Sequence, residues 1–233
     1  MPLTLSKRLA AIAAAVPEGS RVIDVGTDHG YIPVWLAEKG RSPRVLASDI
    51  AAAPLEGARR TAALHGCTDK IEFRLCDGLS GCTADEVDAI IIAGMGGETI
   101  AKILAAAPWA AQKLLALQPQ SKIYELRMWL NENGYTVRDA ALVTDEGRIY
   151  VVWQVRAGGR EDLTYGQCLA DKSLFSKRDP LLEPWLAMHL KKSLHKLGGL
   201  KKAAAVPQEE REFWQRACDE LSEMRKETEK WQK

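Results

Sequence analysis

No apolar run in the chain approaches the length of a membrane span, so no membrane is predicted among its partners. The five cysteines, Cys67, Cys76, Cys82, Cys168 and Cys218, are odd in number and form no C-x-x-C pair. That argues against a disulfide framework or a zinc site. It predicts no metal and a reducing, cytoplasmic setting. Charge of one sign is scarce as well: the formal net charge is +1, neither strongly basic nor acidic. A secretory leader is imitated only briefly, by Lys7-Arg8 before Leu9–Val16. There Leu5, Leu9, Ile12 and Val16 recur at helical spacing and Pro17-Glu18-Gly19 turns into a strand, which predicts an amphipathic helix instead.

What is present is ample apolar content, 46% of 233 residues, enough for one sizeable domain and a smaller appendage. Strand-like runs are readable at 21–26, 44–49, 71–76, 87–93, 113–118, 135–143 and 149–156. Helical patterns lie near 30–39, 52–65, 97–111 and 121–133, with Pro54 early in one helix and Gly40, Gly66 and Gly134 after helix ends. Alternation of this kind predicts an α/β, Rossmann-like domain with a mostly parallel seven-stranded sheet. The last two strands are joined only by Thr144-Asp145-Glu146-Gly147 and read as an antiparallel edge hairpin. Ala157-Gly158-Gly159-Arg160 reads as a linker, dividing the chain into 1–158 and 159–233.

Beyond it the pattern is helical. Leu182, Leu186, Leu190, Leu194 and Leu197 mark one face of a helix over 180–198. Trp214, Ala217, Leu221, Met224, Thr228 and Trp231 form a coiled-coil seam over 208–232. Gly198-Gly199 and Pro207 bracket the connection of an antiparallel hairpin. Lys172–Lys202 carries eight basic residues against two acids, and the remainder six against eight. Either the opposed signs hold the helices together, or the basic helix tracks a phosphate backbone.

A strand, Arg21-Val22-Ile23, runs into Asp24-Val25-Gly26-Thr27-Asp28-His29-Gly30-Tyr31 and then a helix. Such a turn can leave backbone N–H groups facing a ligand. The dinucleotide pattern G-x-G-x-x-G is absent, because Asp28 stands where the second glycine belongs, so NAD and FAD are disfavoured. Three further strands end in Ser48-Asp49-Ile50, Cys76-Asp77-Gly78-Leu79 and Ala93-Gly94-Met95-Gly96-Gly97-Glu98. All lie at carboxyl ends of strands, where open α/β sheets bind ligands. The set suits S-adenosylmethionine, with a ribose on Asp49 next to Ile50, adenine by Asp77 and Gly78, and the amino-acid end near Asp24, Gly26, Thr27, His29 and Gly30. Gly94, Met95 and Gly96 would let the cofactor or a flat base approach the backbone. The bland alternative for each acid is a helix cap.

Leu5-Ser6-Lys7-Arg8-Leu9, the Asp24–Tyr31 turn, Asp77-Gly78-Leu79 and Ala93–Gly97 together resemble the bacterial tRNA (adenine-22-N1)-methyltransferase family, TrmK. The resemblance implies S-adenosylmethionine as methyl donor, N1 of an adenine in the tRNA D-arm as acceptor, and appended helices that help to hold tRNA. On that basis Lys191, Lys192, Lys196, Lys201 and Lys202 are expected RNA contacts, in a monomer or weak dimer, and Arg8 is expected to be an RNA or active-site contact, or else a solvated helix residue. Adenine N1 has its own lone pair, so no base is required. Asp28 is the catalytic candidate, stabilising charge that develops on the ring, or else it braces its turn. Tyr31 would support a flipped base or the cofactor, or pack at the helix start. His29 is read as a positioning residue. The Asn/Asp-Pro-Pro-Tyr turn of many amino-methylating enzymes is absent, which fits a ring-nitrogen target. Two other readings stand beside this one: a methyltransferase for another RNA, a protein or a small molecule, and a non-catalytic RNA-binding module.

Overall fold

The computed structural model describes residues 2–203 and 206–232, in two compact units, Met1–Glu161 and Asp162–Lys233. The first unit opens with α1 (Lys7–Ala14), whose N-cap Ser6 accepts the Leu9 N–H. Then follow β1 (Val22–Val25), α2 (Tyr31–Glu38), β2 (Val45–Asp49), α3 (Ala52–Leu64), β3 (Ile71–Leu75) and β4 (Ala89–Gly96). After them come α4 (Gly97–Ala106), β5 (Leu114–Ser121), α5 (Ile123–Glu132), β6 (Tyr135–Asp145) and β7 (Arg148–Ala157).

The seven strands form one sheet in the order β3-β2-β1-β4-β5-β7-β6. Pairing is parallel from β3 to β5, while β7 runs antiparallel to both β5 and β6. The central strands are apolar runs because both faces are covered: all of β1 is buried, and Ile90, Ile91 and Ile92 of β4 are 0% exposed. The sheet and hairpin therefore stand as the strand pattern predicts. One connection differs from it. The helical stretch 97–111 is split, since α4 stops at Ala106 and Pro108–Gln112 forms a 3-10 turn; proline cannot extend the preceding helix.

The β3–β4 connection contains no helix. Side chains hold it instead. Arg74 makes a two-pronged pair with Glu86 (2.6 and 2.9 Å) and donates to the Gly81 carbonyl, while Thr83 N–H caps Glu86 at 2.9 Å. Arg74 and the Thr83 N–H hold the Glu86 carboxyl well below the usual carboxylate range. This stitching fixes the loop that carries Asp77. At the end of the unit, the Asn131 amide donates to the Glu161 carbonyl (2.7 Å) and accepts its N–H (2.8 Å), so the chain after β7 stays bound to α5.

The second unit has two short helices, α6 (Tyr165–Leu169) and α7 (Lys172–Ser176), and two long ones, α8 (Leu182–Lys202) and α9 (Gln208–Glu229). Thr164 and Gln167 form a reciprocal capping box on α6. Arg225, late in α9, pairs with Glu183 at the start of α8 at 2.7 Å, and Lys196 pairs with Glu210 at 3.4 Å. The long helices are thus an antiparallel hairpin. Two expectations are corrected. Gly198 and Gly199 lie inside α8, held helical between buried Leu197 and Leu200, so the connection begins only at Ala203. Leu194 is 52% exposed. A leucine every four residues advances ~40° per step around a helix, so the repeat that starts on the buried face rotates off it. The buried stripe is Leu182, Trp185, Leu186, His189, Ser193, Leu197 and Leu200. Across from it, Ala217, Leu221 and Thr228 are buried, with Trp214, Met224 and Trp231 half-buried.

Candidate functional site

Strand order reverses between β1 and β4, the switch point at which open sheets bind ligands. Two cavities open there, and they share Gly26 as a wall. The first, 420 Å³, is lined by Gly26, Asp49, Ile50, Asp77, Gly78, Leu79, Met95, Thr99, Lys102 and Ile103, among others. The second, 370 Å³, is lined by Arg8, Asp24, Gly26, Thr27, Asp28, His29, Tyr31, Ala93, Gly94 and Gln120, among others. Of the expected site residues, only Gly30, Gly96 and the lysines of the second unit line neither cavity. Gly30 caps α2 and Gly96 caps α4; each is packed against a neighbour, Ala58 and Ser121 respectively.

The β1–α2 turn spends its backbone donors internally. Gly26 and Thr27 N–H both go to the Ser48 carbonyl (2.8 and 3.0 Å), and Gly30 N–H goes to Thr27 (2.8 Å). Pro33, at the third position of α2, has no N–H to offer. The expected set of donors facing a ligand is therefore reduced, and a pyrophosphate has little to hold. Gly26 is favoured by its backbone: its φ is +74°, and a Cβ there would strike the Met95 Cε. Asp28, at the second-glycine position, has φ +43°. Aspartate is one of the few residues that tolerate this conformation.

The two aspartates of the turn differ. Asp24 is 5% exposed. Burial pushes its carboxyl up to about 6, helped by the charge of Asp49, while nearby Thr27 pulls the other way. The Thr27 hydroxyl is itself buried and makes no directed hydrogen bond among the described residues. Asp28 is exposed, with Oδ2 3.7 Å from His29 Nε2. The His29 and Tyr31 rings stack at 5.5 Å and an interplanar angle of 30°, leaving Tyr31 42% exposed beside Asp28. On the other side, one oxygen of Asp49 caps the Ala51 N–H at 2.8 Å. Asp49 is not the cap of α3, whose N-cap Ala51 has no side-chain cap; its Oδ1 braces the turn two residues on, and the carboxylate retains acceptor capacity toward the cavity.

Arg8 reaches the second cavity from α1. Its Nη1 donates to Gln118 Oε1 at 2.9 Å, its Nε stands 4.0 Å from Asp145, and its guanidinium carbon lies 5.4 Å from the Tyr150 ring centre. Gln118 is 0% exposed, and its Oε1 also accepts the Gly94 N–H at 3.2 Å. Neither Gln118 nor Gln120 is among the expected site residues. The signal for them is the polar end of β5, Gln118-Pro119-Gln120-Ser121, at the same carboxyl edge as the other loops. In the second unit, Lys196 pairs with Glu210 and Lys201 reaches Gln215, whereas exposed Lys191, Lys192 and Lys202 have no such partner among the described residues.

Among the described residues no group of three or more metal-ligating side chains is assembled, and no helix is long and apolar enough to cross a membrane. The family model described as a methyltransferase domain matches residues 5–153. The Bacillus subtilis tRNA (adenine(22)-N(1))-methyltransferase is 35% identical over 161 residues, 68% of each chain. The crystal structure of the Bacillus subtilis M1A22 tRNA methyltransferase TrmK superposes with a TM-score of 0.79 at 27% identity, covering 98% of both chains. The structure of Streptococcus pneumoniae Sp1610 in complex with S-adenosyl-L-methionine superposes with a TM-score of 0.80 at 29% identity, covering 95% of this chain and 100% of that one. A Rossmann-like sheet with an antiparallel edge, a split cleft at its switch point and these likenesses agree: the chain belongs to the TrmK family of tRNA (adenine-22-N1)-methyltransferases.

Proposed function

We infer that the protein is an S-adenosylmethionine-dependent methyltransferase acting on N1 of adenine 22 in tRNA. The observation that carries this reading is the split cleft, one cavity largely apolar and the other built of charged and aromatic side chains, meeting at Gly26. A nucleoside joined to a zwitterionic amino acid needs that pairing of surfaces. Asp49, Ile50, Asp77 and Gly78 would hold the nucleoside, with Met95 packed beside it. Asp24, Gly26 and Thr27 would hold the cationic amino-acid end, which suits a buried carboxyl that gains most from a positive partner. When bound, the cofactor supplies a methyl group made electrophilic by a sulfonium.

The chain's own task is then orientation. Adenine N1 needs no deprotonation, so no general base is required. A base unstacked from the RNA would lie against Tyr31 and His29, with exposed Asp28 offering a carboxylate to the ring as it becomes cationic. Lys191, Lys192 and Lys202 are the outward-facing candidates for the phosphate backbone, and their number predicts a modest salt dependence. A monomer or weak dimer suffices for these roles.

The test is tritiated methyl transfer to tRNA from a strain lacking the enzyme, followed by nucleoside mapping. Label should appear as N1-methyladenosine at position 22. Label in protein or small molecules but never in tRNA would move the reading to the other methyltransferase class.

A further inference from the structure

We propose that Gln120, carried into the polar cavity by paired bulges at the ends of β4 and β5, reads the N6–N7 edge of the target adenine. The assignment rests on the reading that adenine N1 of tRNA is methylated here, and it adds the group that tells adenine from other bases.

The first observation is the register of the two strands. Ala93 pairs with Gln118, Met95 with Pro119 and Gly96 with Ser121, so Gly94 on β4 and Gln120 on β5 each stand outside the ladder. A bulge re-aims the side chains beside it, and bulges are enriched next to active sites. Both bulged residues line the cavity of Asp28, His29 and Tyr31. Gly94 has φ +76°, and a Cβ there would stand 3.7 Å from both Arg8 Nη1 and Gln120 Nε2. The two side chains therefore flank a strip of bare backbone on which a flat ring can lie.

The second is the contrast between two glutamines on one strand. Gln118 is 0% exposed and its amide is fully used: Oε1 accepts from Arg8 and from Gly94 N–H, and Nε2 donates to the Pro119 carbonyl at 2.9 Å. Gln120 is exposed, and its amide makes no hydrogen bond among the described residues. Gln118 builds the wall, and Gln120 offers the cavity an unspent donor and acceptor. It also lies on the far side of the site. In the order β3-β2-β1-β4-β5 the proposed cofactor contacts come from the first four strands, and Gln120 ends the fifth.

The third is the chemistry of the acceptor. Methyl transfer needs the N1 lone pair open in the plane of the ring, so a two-pronged contact cannot be made across N1. The polar edge that remains presents one N6–H and the N7 lone pair. A glutamine amide matches that pair, Oε1 accepting from N6 and Nε2 donating to N7. Guanine presents two acceptors at the same edge, O6 and N7, which one amide cannot match. Asp28 stays available for the charge that develops on the ring.

Methylation of tRNA carrying adenosine or 7-deazaadenosine at position 22, the latter without N7, tests the assignment. Wild-type kcat/KM should fall about 3- to 10-fold on the deaza tRNA, the effect of one lost hydrogen bond. Gln120→Ala should lower kcat/KM on the adenosine tRNA about 10-fold or more and then treat the two tRNAs alike within about twofold. The altered ring electronics are common to both proteins and cancel in this cycle. Gln120→Glu sets a carboxylate against the N7 lone pair and should invert the preference, favouring the deaza tRNA. Affinity for S-adenosylhomocysteine, measured by calorimetry, should stay within about twofold in both variants, which separates base reading from damage to the fold. A deaza penalty in Gln120→Ala as large as in the wild type would overturn the proposal. So would a loss of S-adenosylhomocysteine affinity in both variants, which would assign Gln120 to the cofactor. If the wild-type protein methylates neither tRNA, the adenine-22 reading itself falls and this assignment falls with it.

Discussion

The two cavities at the β1–β4 switch point offer a ligand different physics. In the cavity of Ile50, Leu79, Met95 and Ile103, recognition would rest on apolar area and on one carboxylate at each polar corner, Asp49 and Asp77. In the cavity of Arg8, Asp24 and Asp28, it would rest on fixed charges and aromatic rings. The first should tolerate small changes of side chain and fail when its shape is lost. The second should tolerate little change of charge. Gly26 belongs to both, and it is the position where the two behaviours can be separated.

The largest effect is expected there. Gly26→Ala places a Cβ against the Met95 Cε on a backbone with φ +74°, a strain of about 1 kcal/mol or more. The atom struck is the free end of a flexible side chain, so Met95 can move, and it moves within the apolar cavity that it lines. Cofactor affinity should fall by roughly 100-fold while the melting temperature changes only a few degrees. Gly26→Ala combined with Met95→Ala should recover part of that affinity. No recovery in the double variant would show that backbone strain, not the filled cavity, causes the loss.

An intermediate effect is expected at Asp28, on the polar side. Asp28→Asn keeps the shape and the tolerance for φ +43° but removes the charge. Turnover should fall about 10- to 100-fold, within the range for a single electrostatic contact to the transition state, with cofactor affinity within about twofold. If affinity and turnover fall together, Asp28 orients the cofactor and leaves the base to Tyr31 and His29.

The contrast also explains what could be read before the fold was known. The first unit is legible because its strands are continuous apolar runs ended by Asp and Gly, so Asp24, Asp49, Asp77 and Gly94 fall at one edge from local pattern alone. Gln118 and Tyr150 each meet Arg8 across a separation of over 100 residues, and no local rule links them. The β3–β4 connection is likewise held by Arg74 and Glu86 rather than by a helix. In the second unit, the Leu182–Leu194 repeat drifts off its face, and glycines at 198 and 199 are overridden by buried Leu197 and Leu200. There the helices are legible and their exact limits and buried stripe are not, because packing decides between nearly equivalent faces.

The smallest predicted effect sharpens the comparison through pH. In the folded protein without ligand, burial lifts the Asp24 carboxyl from 3.8 to about 6. The folded state thus binds this proton more tightly than the unfolded state. Ionising the group costs folding stability as pH rises from about 4 to 6, on the order of 3 kcal/mol for a shift of that size. Asp24→Asn should abolish that slope. An ammonium partner favours the ionised carboxylate, so binding below pH 6 must expel a proton. The dissociation constant for S-adenosylhomocysteine should then rise up to about tenfold between pH 6 and pH 5 and level off above pH 7. Decarboxylated S-adenosylmethionine keeps the ammonium and should follow the same curve. A flat profile for both, with proton release absent in calorimetry, would place the ammonium away from Asp24 and leave the polar cavity to the acceptor base alone.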